Sequence, residues 1–188
     1  LTRLAIWLDE AEQRQPRPHP VEMIATIETP RGLLDALAIA SATSRTTALF
    51  FGSGDYTAAT GSAVTERALA VPRALIVAAA AAQRIEAIDA AYFVAVKDAA
   101  ATEADALIAR ELGFAGKLVF HPNQVAVANA IFAPTAAEIE RARRHRKAYD
   151  DARREGRGTA FIDGEFIAVD IALMADRLLA RARLAGVA

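Results

Sequence analysis

Four times along this chain, a short run of apolar residues gives way to a turn and then to a helix-favouring tract. The repeat recurs at intervals of about 25 to 40 residues, and the runs are rich in β-branched or aromatic side chains. They are Val21 to Ile27, Thr46 to Phe51, Ala87 to Val96 and Gly116 to Phe120. Near-continuous apolar runs suit strands covered on both faces, and repeated strand-turn-helix units require parallel strands with right-handed crossovers. The expected fold class is therefore α/β with a parallel sheet.

The punctuation between the runs supports this. Leu1 to Gln13 reads as one helix, stopped by Pro16, Pro18 and Pro20. Thr29 is an N-cap candidate with Pro30 at the first helical position, starting a helix through about Ala42. Gly52-Ser53-Gly54 permits a tight turn, and Asp55 begins the next helical stretch. A helix is expected over Val64 to Arg84, interrupted near Pro72. A capping-box-like start at Thr102 to Asp105 opens another that ends at Gly113. A short helix is expected over Gln124 to Phe132. Thr135 and Glu138 then have capping-box spacing for a charged helix to about Glu155, a hairpin turns at Asp163-Gly164, and a last helix covers Val169 to Leu184. This tail leaves the strand-helix rhythm.

Composition narrows the function classes. The 188 residues are 54% hydrophobic and contain no cysteine, so a real core is affordable and thiolate chemistry is excluded. Lys and Arg number 22 against 23 Asp and Glu, which gives no global attraction to nucleic acid or an anionic membrane. The longest apolar run, around Ala74 to Ala82, is far short of the roughly 20 residues a bilayer span needs, and no signal-peptide layout is present. No nucleic-acid or membrane partner is expected, and the protein reads as cytoplasmic. A start without methionine suggests part of a longer chain.

In parallel α/β folds, functional residues gather where strands end, because the loops there converge on one face. Glu28 and Asp55 both follow strand runs, one unit apart. Neighbouring strands lie about 4.8 Å apart, so two such carboxylates can share one divalent ion and hold an enolate-forming substrate. The other account is that Asp55 caps a helix and Glu28 pairs with a cation. The residues alone leave both open. His121 before Pro122 reads first as a structural turn, Lys117 as a surface or strand-start residue, and Asp89 and Asp98 as site-orienting or capping groups. The arginines from Arg141 to Arg146, interleaved with acids, read as a solvated helix face.

Several segments, in order, resemble the citrate lyase β-subunit-like (HpcH/HpaI aldolase) family. They are Ile24 to Pro30, Phe51 to Asp55, Ala87 to Tyr92 and Gly113 to Gln124, with Asn129, Phe132, Pro134 and Glu138 continuing the match. The resemblance implies a TIM-type (β/α) barrel, of which residues 1–160 supply about the second half. Residues 161–188 would form a hairpin and helix that cover the barrel mouth or a neighbouring subunit. It implies a carbon–carbon lyase acting on an acyl-CoA such as citryl-, malyl- or citramalyl-CoA, or alternatively a CoA-independent 2-oxo acid aldolase. In it, Glu28 and Asp55 match ligands of Mg2+, and Glu28, Ser53 and Gly54 match substrate-binding positions. A homo-oligomer, trimeric or a multiple, is also implied.

Two departures matter. A full barrel needs eight strands in about 250 residues, and four strand runs are found here. The resemblance also implies a Gly-x-x-Ile-Asp segment whose aspartate serves proton transfer; here it reads Gly164-Glu165-Phe166-Ile167-Ala168, with Asp170 two residues on as a candidate substitute. A non-catalytic binding or assembly subunit is the reading from another class.

Overall fold

The structure, a computed structural model, describes residues 1–90 and 94–187. It divides into two compact units, Leu1–Phe132 and Ala133–Ala188.

In the first unit, helix α1 (Thr2–Arg14) precedes strand β1 (Met23–Ile27), helices α2 (Pro30–Leu34) and α3 (Ala36–Ala40), and strand β2 (Thr46–Phe51). Helices α4 (Ser53–Thr60) and α5 (Glu66–Gln83), strand β3 (Glu86–Asp89), helix α6 (Ala99–Leu112), strand β4 (Gly116–Lys117) and helix α7 (Asn123–Phe132) follow. The sheet order is β1-β2-β3-β4, and every pairing is parallel. This is the α/β arrangement expected of about half a (β/α) barrel. Ile27, Leu49, Phe51, Ile76 and Phe114 are wholly buried in one core between sheet and helices.

Several boundaries differ from expectation for identifiable reasons. The helix after Pro30 is two short helices, broken at Asp35 (φ −95°, ψ 8°), whose carboxylate pairs with Arg31 at 2.6 Å. Helix α5 runs uninterrupted through Pro72. Its stripe of Leu69, Arg73, Ile76 and Ala80 is buried, and that packing outweighs the one backbone bond proline forfeits. Asp98, rather than Thr102, caps α6: its side chain accepts from the Ala101 N–H at 3.1 Å, while Thr102 lies inside the helix, fully buried. Strands β3 and β4 are shorter than the apolar runs that contain them. Of the expected third strand, Ala91, Tyr92 and Phe93 lie outside the described residues, and Val94 to Val96 form bends and turns. Beyond Lys117, the Phe120 and His121 amides turn to the Gln124 side chain instead of a neighbouring strand.

In the second unit, α8 (Ala136–Arg154) packs with hairpin strands β5 (Ala160–Ile162) and β6 (Glu165–Ile167) and with α9 (Val169–Leu184). Thr135 and Glu138 form the reciprocal capping box. Asp163 and Gly164 both have positive φ, 54° and 80°, as a two-residue hairpin of this twist requires. Ile167 and Ala172 are fully buried against Tyr149 and Ala152.

Candidate functional site

Strands β1 and β2 run in register from Ile24 opposite Ala48 to Ile27 opposite Phe51, so they end together. The next residues, Glu28 and Gly52, therefore face each other, and the Gly52 N–H donates to the Ile27 carbonyl at 2.9 Å. Thr29 then caps α2, its hydroxyl accepting from the Gly32 N–H at 3.0 Å with Pro30 at the first helical position. Gly52 caps α4, and Asp55 lies in that helix's first turn. Ser53 is buried at the helix start, while Glu28 and Asp55 are both exposed.

Among the described residues, neither carboxylate makes an ion pair or a side-chain hydrogen bond. The backbone N–H groups of Ser53, Gly54 and Asp55 occupy the first turn of α4, where geometry leaves donors without intrahelical partners and the helix dipole is positive. The result is two acceptor-only side chains beside a short array of backbone donors. No cluster of three or more acidic or histidine side chains that could hold a metal is found among the described residues. A pair of carboxylates fits magnesium, which characteristically takes one or two from protein and keeps water or substrate in its other positions.

A second polar cluster lies between β3, β4, α5 and α6, and there the expectation for Lys117 is corrected. Its side chain is fully buried. Nζ lies 2.5 Å from Asp89 Oδ2 and 2.5 Å from Asp105 Oδ2, and it also donates to the Ala90 carbonyl. Arg73 engages Asp89 with two bonds, Nε to Oδ1 at 3.0 Å and Nη2 to Oδ2 at 2.8 Å, and reaches Asp105 at 2.7 Å. Burial pulls the Arg73 guanidinium down, but the Asp89 and Asp105 charges and hydrogen bonds outweigh it, and its pKa is raised. Two cations thus neutralise two carboxylates, and Asp89 is a structural partner rather than a cap. The signal in the sequence was Arg73 itself, a charge on an otherwise apolar helical stripe, which buried surroundings tolerate only when it is paired.

The other candidates separate. His121 accepts the Asn123 N–H on Nδ1 at 3.2 Å, a local turn contact. Asp98 is a cap. On α8, Arg143, Arg146 and Lys147 pair with Glu140, Asp150 and Asp151 one turn away, and Arg144 reaches Asp163 of the hairpin at 3.4 Å. That is a salt-bridged surface. In the second unit, Ala168 is the N-cap position of α9, and Asp170 is exposed in its first turn. No helix among the described residues is long and apolar enough to cross a membrane.

Comparison with known proteins gives this geometry a context. The family described as HpcH/HpaI aldolase/citrate lyase matches residues 6–122. A (3S)-malyl-CoA thioesterase of Cereibacter sphaeroides is 37% identical over 145 residues, covering 76% of this chain and 50% of the relative. The citrate lyase subunit beta of Escherichia coli K12 is 33% identical over 175 residues, covering 90% of this chain and 57% of the relative. The chain therefore spans about half the length of the curated relatives it matches. Among solved structures, CitE from Mycobacterium tuberculosis, in complex with magnesium, acetoacetate and coenzyme A, is similar with a TM-score of 0.68. It is 26% identical, and the match covers 94% of this chain and 65% of that one. With most of its length matched in sequence and in fold, the chain belongs to the HpcH/HpaI aldolase/citrate lyase family.

Proposed function

We propose that this chain contributes the metal-binding half of a magnesium-dependent carbon–carbon lyase acting on an acyl-CoA of the citryl, malyl or citramalyl type. The observation that carries the reading is the pair Glu28 and Asp55, exposed at adjacent strand ends and without a cationic partner among the described residues. Exposed and without a cation of the chain's own among the described residues, the two carboxylates remain available to one divalent ion. Glu28 and Asp55 would hold the ion, which when bound supplies positive charge against a developing negative charge on a substrate oxygen. The first-turn amides of Ser53 and Gly54 are aimed to receive a substrate carboxylate, as helix N-termini do for anions. Orientation of the scissile bond between these donors and the two carboxylates is the chain's own share of catalysis. Ala168 has no ionisable group, and Asp170 is the residue proposed to transfer the proton instead.

The related structure with magnesium and coenzyme A, and the relatives named for malyl-CoA and citrate lyase, support the substrate class. The test uses the full-length protein with candidate CoA thioesters and free hydroxy-oxo acids, following oxo-acid product and free thiol separately as magnesium is titrated. Magnesium-dependent oxo-acid release from a thioester, abolished in Glu28→Ala and Asp55→Ala, is the expected result. Release from free acids alone assigns a CoA-independent aldolase, and free thiol alone assigns thioester hydrolysis. Wild-type turnover and magnesium affinity in both variants overturn the assignment.

Ala168 favours one other reading, a binding or assembly subunit that keeps the fold without proton transfer. No product with any substrate, together with a stable complex to a partner chain, would select it. We also propose a cytoplasmic homo-oligomer. Phe161 and Phe166, stacked edge-to-face at 5.6 Å and largely exposed on the hairpin, are the apolar surface that supports it, and light scattering of the full-length protein is its check.

A further inference from the structure

Gly52 stands opposite Glu28 at the start of α4, and its backbone does not explain why it is glycine. Its φ of −84° and ψ of 76° are within reach of L-residues, so the tight-turn rationale does not apply at this position. Space does explain it. A Cβ on residue 52 would lie 2.7 Å from the Glu28 Cβ, 3.1 Å from its Oε2 and 3.5 Å from its Cα. The carboxylate oxygen could swing aside, but the Glu28 Cβ is fixed by the β1 backbone, so relief requires the two strand ends to move apart. That movement would strain the Gly52 N–H to Ile27 carbonyl bond. It would also change where Glu28 stands relative to Asp55, because Asp55 is carried only three positions on, in the first turn of α4.

We infer that Gly52 is a positioning residue whose missing side chain sets the spacing between the Glu28 and Asp55 carboxylates and thereby the affinity of the site for a divalent cation. The inference rests on the metal-site reading above and adds to it a residue that no ligand need touch. Gly158 does not share this constraint: a Cβ there would meet nothing within 4 Å.

The experiment measures Mg2+ binding by calorimetry and, separately in metal-free buffer, thermal unfolding of the full-length protein. The variants are Gly52→Ala, Gly158→Ala, Glu28→Gln, Glu28→Gly and the double change Glu28→Gly with Gly52→Ala. Gly52→Ala is expected to weaken Mg2+ binding by about tenfold or more, the scale seen when a ligand's support is removed, while Gly158→Ala binds as wild type. In metal-free buffer, Gly52→Ala is expected to lower Tm when Glu28 is present and to cost nothing further in the Glu28→Gly background, since the Cβ it would strike is gone. Wild-type affinity in Gly52→Ala, or the same loss of Tm in both backgrounds, overturns the inference while Glu28→Gln still reports on the metal site. Unchanged Mg2+ affinity in Glu28→Gln overturns the metal-site reading itself, and the inference with it. The two failures are therefore distinguishable.

Discussion

The first unit carries two acidic pairs, and they are opposites. Asp89 and Asp105 are buried or nearly so, and each is shared by Arg73 and Lys117, giving a neutral quartet. Glu28, just after β1, and Asp55, in the helix after β2, lie two strands and one strand from β3, are exposed and have no cation among the described residues. Carboxylates thus serve cohesion in one case and leave binding capacity in the other. The difference lies in the helices: α5 and α6 each bring a charged side chain, Arg73 and Asp105, to β3 and β4. Desolvated charges must be matched internally, whereas hydrated ones can wait for a ligand.

The contrast can be broken by making the same chemical change on both sides. Asp89→Asn leaves Arg73 and Lys117 with a single carboxylate in a buried place, and a loss of about 3 to 5 kcal/mol of unfolding free energy is expected. Denaturant melts would show it, and a loss below about 1 kcal/mol would mean the quartet is hydrated after all. Glu28→Gln and Asp55→Asn are expected to do the reverse. Stability should stay within about 0.5 kcal/mol of wild type, while Mg2+ affinity measured by calorimetry falls at least about tenfold to a hundredfold.

A smaller effect sharpens the rule that buried polar atoms need partners. Thr46 Oγ1 is buried at the start of β2 without a hydrogen-bond partner among the described residues. Thr46→Val keeps the shape and should stabilise by about 1 kcal/mol, read as a higher denaturation midpoint. The smallest effect concerns a paired but hydrated acid. Glu12 is held below the usual carboxylate range by the Arg45 hydrogen bonds and then by the Val21 N–H. Because its folded pKa is depressed, its contribution to stability is present above the ordinary carboxylate pKa and is lost as pH falls through the folded value. Glu12→Gln should slightly flatten the acid limb of a stability–pH curve and leave neutral Mg2+ binding untouched.

Much of this was legible in the sequence because it depends on local chemistry. Apolar β-branched runs, Thr29 before Pro30, the Thr135–Glu138 capping box and the Asp163-Gly164 turn all act within a few residues. What was misread depends on distant partners. Lys117 looks like a surface residue until α6 delivers Asp105; the early end of β4 is the local exception, because Gln124 takes the Phe120 and His121 amides. Pro72 looks like a helix breaker until the buried stripe around it is seen to hold α5 together. In the candidate site, the sequence points to Glu28 and Asp55 as a pair, but not to the space between them. A clash that never occurs leaves no mark in a residue pattern.

Gln124 has a further consequence. Its Oε1 accepts both the Phe120 and His121 N–H groups, at 3.0 and 3.2 Å, and its Nε2 donates to the Thr102 hydroxyl at 3.3 Å. That hydroxyl donates in turn to the Asp98 carbonyl at 3.0 Å. One fully buried amide therefore joins the loop after β4 to the start of α6. In hydrogen–deuterium exchange the Phe120 and His121 amides, although outside any strand or helix, should exchange with the slow kinetics of the α6 interior. Loop and helix would then open as one cooperative unit.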